Sequence, residues 1–143
     1  KASAEEVGVP VIMTEQYPAG LGHTVPELAP GPETTVLGKM HFSCMEDAGF
    51  EAHFRGLGRK QAVIAGMEAH ICVVQTAASL IEAGFEVFVV SDATASRTLE
   101  SEQACIARLS AGGAGIVTTE MVVFEWLGQA GTPAFKKLLP LIK

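Results

Sequence analysis

Basic residues, aromatic residues and cysteines are all scarce in this chain, and long apolar runs are absent; each shortage removes a class of protein. Lys and Arg number 10 against 16 Asp and Glu, a formal net charge of −6, so the basic footprint of a nucleic-acid-binding surface is missing and nucleic acid is not an expected partner. No apolar stretch approaches the roughly 20 residues that span a bilayer, and the opening Lys1-Ala2-Ser3-Ala4-Glu5-Glu6 has no apolar signal-peptide segment. No membrane partner is expected. The three cysteines, Cys44, Cys72 and Cys105, form no C-x-x-C pair, which argues against a disulfide framework or zinc site and for reduced thiols in a cytoplasmic setting. His23, His41, His53 and His70 make neither an H-x-H nor an H-x-x-x-H pair, so no metal is expected. There is no G-x-G-x-x-G or P-loop, and hence no nucleotide cofactor is expected.

What is present is apolar and rich in glycine: 48% of the 143 residues are hydrophobic and 15 are glycine, as suits one domain of buried parallel strands joined by tight turns. The spacing predicts the end of a helix at Lys1 to Val7, strands at Val9 to Thr14, Thr35 to Leu37, Gln61 to Ala65, Glu86 to Ser91 and Gly115 to Thr118, and helices over Cys72 to Ala83, Leu99 to Ala111, Met121 to Leu127 and Pro133 to Leu139. Ser43-x-x-Glu46 has the form of a capping box, opening a helix that ends near Gly56 or Gly58. Tyr17 to Pro32, with four prolines, reads as a loop over strand ends. Strands alternating with crossover helices make an α/β fold: a three-layer, Rossmann-like parallel sheet with helices on both faces. Ligands bind such sheets beyond the carboxyl ends of the strands. Thr14, Glu15 and Gln16, then Lys39, then Glu68 to Cys72, then Asp92 fall on that rim.

Among these the sharpest feature is Gln61 to Ala77. An apolar strand breaks at Gly66, and Val73, Ala77, Leu80 and Ile81 then repeat at the period of a buried helix face. Cys72 stands at the switch, where unpaired N–H groups and the positive end of the helix dipole favour a thiolate and could hold an oxyanion. The competing reading is a free cysteine packed as a small hydrophobe. Lys39, on its own, reads as a solvated loop charge. His70, two residues before Cys72, reads as a proton donor, a substrate contact or an exposed helix-entry side chain. Asp92 reads as a loop or cap hydrogen-bonder. Val122, Val123, Trp126 and Leu127 form a helical stripe that is core or subunit interface, and with it a homo-oligomer is expected.

Gly66-x-x-x-x-x-Cys72 followed by Thr76-Ala77 resembles the nucleophile motif of the isochorismatase-like cysteine hydrolases. Val11-Ile12-Met13-Thr14-Glu15-Gln16-Tyr17-Pro18, Gly20-Leu21-Gly22, Thr24-Val25-Pro26-Glu27-Leu28 and Gly66-Met67-Glu68-Ala69 are similar more narrowly to the isochorismatase domain-containing proteins. The similarity continues through Ser91-Asp92-Ala93 and Ser96-Arg97 to Phe135-Lys136. It implies a hydrolase acting on a small amide, imide or related substrate, with Cys72 as nucleophile, Lys39 as its catalytic partner, and the N–H groups of Glu68 and Cys72 as oxyanion hole. It also implies a cis peptide at Met67-Glu68, a substrate pocket with Glu15, Gln16, Tyr17 and His70, no cofactor, and assembly as a dimer or larger. The Asp/His metal cluster of the nicotinamidase branch has no counterpart, since Gln16, Pro18 and His23 occupy that region.

One element of the resemblance is missing. The third catalytic residue, an aspartate ending the family's first strand, has no match, because no Asp precedes Asp47. Residues 1–143 are thus expected to be an N-terminally incomplete domain, in which Val9 to Thr14 and Gln61 to Ala65 do not pair with each other. Glu15 is a candidate substitute carboxylate. A non-catalytic binding or scaffold protein that keeps the fold is the alternative function.

Overall fold

A computed structural model describes residues 1–142; residue 143 of the expected domain lies outside the described residues. Among the described residues five strands form two parallel sheets. Strands β1 (Ile12–Gln16) and β2 (Thr35–Lys39) pair with Ile12 opposite Thr35 and Gln16 opposite Lys39. Strands β3 (Gln61–Met67), β4 (Glu86–Ala95) and β5 (Gly115–Val117) form the second sheet in the order β3-β4-β5. β1 and β3 are not hydrogen-bonded to each other, as the comparison of motifs led us to expect.

The second sheet is covered on both faces, and the alternation of side chains along β4 shows how. Val87 and Val89 point into a core shared with Ala62 of β3, with Val74, Ala77 and Leu80 of helix α4 (Val74–Glu82) and with Cys105 and Leu109 of helix α5 (Leu99–Ala111). Val90, one residue on, points the other way and packs with Val117 and with Val122 of helix α6 (Thr119–Leu127), where Phe88 and Trp126 close the cluster. Gly115 lies opposite Phe88, and a Cβ there would sit 2.7 Å from the Phe88 ring, so the glycine makes room for the aromatic face. The stripe Val122, Val123, Trp126 is therefore turned inward: Val122 and Val123 are buried within this chain. Of the two readings of its period, core or subunit interface, the packing within this chain is that of core; the large apolar side chains α6 exposes are Met121 and Phe124.

Several boundaries move in ways that matter for the rim. β1 runs two residues further than expected, because the Tyr17 N–H donates to the Lys39 carbonyl at 2.8 Å and extends the β1–β2 ladder. β2 likewise continues through Gly38 to Lys39. β3 does not stop at Ala65; it shifts register between Ile64 and Gly66, where Gly66 takes φ +124°, and continues to Met67. Ser43 caps no helix. Its hydroxyl meets Ser79 Oγ at 3.0 Å, residues Cys44–Glu46 form a 3-10 turn, and helix α3 (Ala48–Gly56) is capped by the Asp47 carboxylate, which accepts from the N–H groups of Gly49 and Phe50. Short helices α1 (Ala2–Glu6), α2 (Pro18–Leu21) and α7 (Pro133–Leu138) and 3-10 turns at Pro26–Leu28 and Leu139–Leu141 complete the described fold, so Tyr17 to Pro32, expected as loop, holds two short helical turns. Among the described residues no helix is long and apolar enough to cross a membrane.

Candidate active site

Parallel pairing brings Gln16 and Lys39 side by side at the carboxyl ends of β1 and β2, and residues opposite one another in a parallel pair share a face. Lys39 is 5% exposed, far below a solvated loop lysine. Its ammonium donates to Gln16 Oε1 at 2.5 Å, to the His41 carbonyl at 2.9 Å and to the Phe42 carbonyl at 3.0 Å. Gln16 Nε2 in turn donates to the Met40 carbonyl at 2.7 Å.

Across the gap from β1 stands Cys72. The helix expected from Cys72 begins earlier: Ala69–Val73 is a π-helical turn that leads into α4, so Cys72 lies inside that turn, not at its first residue. The Glu68 carbonyl accepts from the N–H groups of Ile71, Cys72 and Val73 at 3.2, 3.1 and 3.3 Å. One oxygen with two lone pairs serves three donors, so each bond is weaker than an unshared one. The peptide Met67-Glu68 is cis. Cys72 Sγ lies 3.9 Å from Gln16 Oε1, the same oxygen that holds Lys39. The two residues expected to do the chemistry therefore meet through a third.

The other expected residues divide. His70 flanks the turn, its Nδ1 2.9 Å from Ser96 Oγ and 3.5 Å from Glu68 Oε2. Glu68 is paired with Arg97 Nε at 3.0 Å, and that guanidinium holds its carboxyl below the usual range. Glu15 does not join the group. Being adjacent to Gln16 on a strand it faces the opposite way, where it accepts from the Thr24 N–H at 2.7 Å, the Thr24 hydroxyl at 2.8 Å and the His23 ring at 2.8 Å. The Thr24 N–H above all, then His23 and the Thr24 hydroxyl, lower it from 4.5 to about 2. Its work is to pin the loop after β1. Tyr17 takes the left-handed φ of 42° and lays its half-exposed ring over Gly20, where any Cβ would collide with it. Asp92 Oδ1 accepts from the N–H and hydroxyl of Thr119 at 2.7 and 3.0 Å, an anchor for the start of α6.

The remaining cysteines are enclosed. Cys105 Sγ sits 3.1 Å from the Ala69 carbonyl, and burial pushes its thiol up. Cys44 is buried, its N–H donating to Thr76 Oγ1 at 3.0 Å and its Sγ 3.8 Å from Thr14 Oγ1. Only Cys72 of the three is partly accessible. The roles of Gln16 as a bridge and of Ser96 as the partner of His70 were not foreseen. The strand register, once Gln16 and Lys39 are placed at strand ends, is the signal that would have found the first.

Comparison with known proteins gives the family. Residues 1–121 match the Isochorismatase domain. The chain is 36% identical over 148 residues to the secreted isochorismatase effector Isc1 of Phytophthora sojae (strain P6497), covering 99% of this chain and 70% of that protein. It is 38% identical over 141 residues to isochorismatase domain-containing protein 1 of Danio rerio, covering 98% of this chain but only 50% of that relative's length. Among solved structures, the MAR1 ribonuclease of Caenorhabditis elegans matches with a TM-score of 0.89 at 34% identity, over 98% of this chain and 72% of that one. The YcaC gene product of Escherichia coli, described as an octameric hydrolase of unknown specificity, matches with a TM-score of 0.83 at 28% identity, over 98% of this chain and 76% of that one. Sequence motifs, parallel strands flanked by helices and relatives agree, and the chain belongs to the isochorismatase-like hydrolase family.

Proposed function

We propose that the protein is a cysteine hydrolase in which Cys72 attacks the carbonyl carbon of a small amide, imide or related substrate. The observation that carries this reading is the meeting of the Lys39 ammonium and the Cys72 sulfur on one oxygen of Gln16, at 2.5 and 3.9 Å. A buried ammonium whose partners are all neutral oxygens favours an anion beside it, whether thiolate or oxyanion. In the first step a C–S bond forms and the carbonyl electron pair moves to oxygen. The Glu68 and Cys72 N–H groups serve as the oxyanion hole; the latter is one of three donors sharing the Glu68 carbonyl and turns to the developing charge at small cost. Collapse breaks the C–N bond, and the nitrogen leaves with the proton the thiol gave up. Water then hydrolyses the thioester, releasing the acid and restoring the Cys72 thiol. The third catalytic residue, an aspartate, is assigned to none of the residues of this chain.

Tyr17, His70 and Gln16 border the substrate in this reading. With a net charge of −6, a small molecule suits the site better than RNA, although the MAR1 neighbour is named a ribonuclease. Assembly as a homo-oligomer is part of the proposal, supported by the octameric YcaC neighbour, as is a reducing compartment, supported by three free thiols; the Phytophthora relative, secreted by name, makes cell fractionation the test of the latter. The test of mechanism is timed alkylation at neutral pH with peptide mapping. Cys72 labels first, Cys44 and Cys105 later, and Lys39→Met slows Cys72 about tenfold, the equivalent of one unit of thiol acidity. Earlier labelling of Cys44 or Cys105, or an unchanged Cys72 rate in Lys39→Met, refutes the reading.

A further inference from the structure

An ammonium has three protons to donate, and all three of Lys39's are taken: by Gln16 Oε1, the His41 carbonyl and the Phe42 carbonyl. Two of those acceptors are backbone and fixed by the chain. The third is a side chain, and the oxygen it offers Lys39 is also the one 3.9 Å from Cys72 Sγ. Direct pairing of ammonium and sulfur therefore requires that Gln16 give up its bond. Gln16 is itself held: Nε2 donates to the Met40 carbonyl at 2.7 Å, and exchanging the two ends of the amide would set donor against ammonium and oxygen against carbonyl. Its Oε1 can point only toward Lys39 and Cys72.

We propose that Gln16 is a positioning residue that competes with Cys72 for the third ammonium proton of Lys39, holding the pair one oxygen apart in the resting protein. The proposal rests on the hydrolase reading above. With Gln16 in place, the Cys72 sulfur faces Oε1, and the ammonium acts on it only through space, without a hydrogen bond. When substrate or rearrangement displaces the amide, the freed N–H turns to sulfur and the thiolate is stabilised where it is needed. Several other ionisable groups on the elements around Cys72 are engaged elsewhere, while the turns after β1 and β2 also carry the Tyr17 phenol and the His41 ring. On its own turn and the turn's cap, His70 faces Ser96 and Glu68 faces Arg97. On β1, Glu15 faces His23 and Thr24. From α5, Cys105 points to the Ala69 carbonyl and Glu102 accepts from the Ser96 N–H. In the turn after β2, Cys44 Sγ lies beside Thr14 Oγ1.

The experiment is the pH–rate profile of Cys72 alkylation by iodoacetamide, followed by peptide mapping, in the full chain without substrate. Gln16→Met keeps the length of the side chain and removes the competing oxygen, so the profile's midpoint falls by about one pH unit and neutral-pH labelling speeds up about tenfold. Gln16→Glu places a carboxylate on the ammonium and opposite the sulfur, so the midpoint rises by about the same amount. In Gln16→Met/Lys39→Met the gain of the first substitution disappears. Loss of packing alone would move both single variants the same way. Opposite shifts that vanish without Lys39 support the proposal. Shifts of one sign, unchanged profiles, or a gain that survives Lys39→Met overturn it. If Gln16→Met does not fold, Gln16→Asn, which withdraws the amide from both partners, takes its place with the same expected direction. An unchanged rate in Lys39→Met alone sinks the hydrolase reading instead, so the two failures are distinct.

Discussion

The two parallel sheets of this molecule are built by different means. The β3-β4-β5 sheet is sandwiched by helices: Val87 and Val89 face α4 and α5, Val90 faces α6, and buried aliphatic side chains fill both layers. The β1-β2 sheet buries little. Every residue of β1 is only partly covered, and Val36 of β2 is exposed. Its order comes from polar contacts instead: Lys39 with the loop carbonyls, Gln16 with Met40, Glu15 with Thr24 and His23. The packed half carries Cys72, the proposed nucleophile, and the polar half carries Lys39, its proposed partner. Such a division gives the cysteine a rigid seat and leaves the lysine on a network that can rearrange one bond at a time.

The largest test of this contrast is truncation of one aliphatic side chain in each half. Leu80, 1% exposed within the first core cluster, is expected to cost about 2–5 kcal/mol as Leu80→Ala. Val36→Ala on β2 is expected to stay within about 0.5 kcal/mol. Denaturant midpoints at constant slope would read both, and equal losses would mean that the β1-β2 half is packed as firmly as its neighbour. A smaller effect is expected where the halves are joined. The buried Cys44 N–H donates to Thr76 Oγ1 on α4; Thr76→Val keeps the shape and removes the acceptor, for a loss of about 1–3 kcal/mol. Thr76→Ser, which restores the hydroxyl, should recover most of it.

The smallest effect is electrostatic and local. Glu15 titrates at about 2 in the folded chain against an ordinary value of 4.5, so the stability it lends is fully present above about pH 4.5 and is lost as pH falls through 2. Limited proteolysis between Tyr17 and Pro32 should quicken across that acid window in the parent chain. In Glu15→Gln the loop should already be cut faster at neutral pH, with a flatter acid response. An unchanged cutting rate would free Glu15 from the role given to it here.

These differences also explain how far the sequence could be read. Helix α5 was legible to the residue, because Thr98 caps it, accepting from the Ser101 N–H, and its apolar period is regular. The order of strands and helices followed from spacing, and the separation of β1 from β3 from the resemblance, whose first strand has no match here. The ends of β1 and β2 did not, since Tyr17-Pro18 and Gly38 resemble loop punctuation and only the cross-strand bond from the Tyr17 N–H to Lys39 extends the ladder. Between Ser43 and Asp47 either could cap by type; burial of Ser43 against Ser79 decided it. The π-turn around Cys72 has no signature of its own, as its residues also suit an α-helix. Cys72 was singled out by its place at the strand–helix switch and given its role by resemblance; Lys39 was reached through resemblance only, and alone would have been read as surface.

The chain contains one tryptophan and one tyrosine, and they fall on opposite sides of this divide. Trp126 packs against Val90, Val117 and Val122 at the far face of the β4–β5 sheet. Tyr17 follows Gln16, with its N–H on the Lys39 carbonyl and its ring half in solvent. Indole fluorescence and phenol absorbance therefore serve as two independent optical channels, the first reporting on the packed scaffold and the second on the mouth of the site, with no label to be introduced.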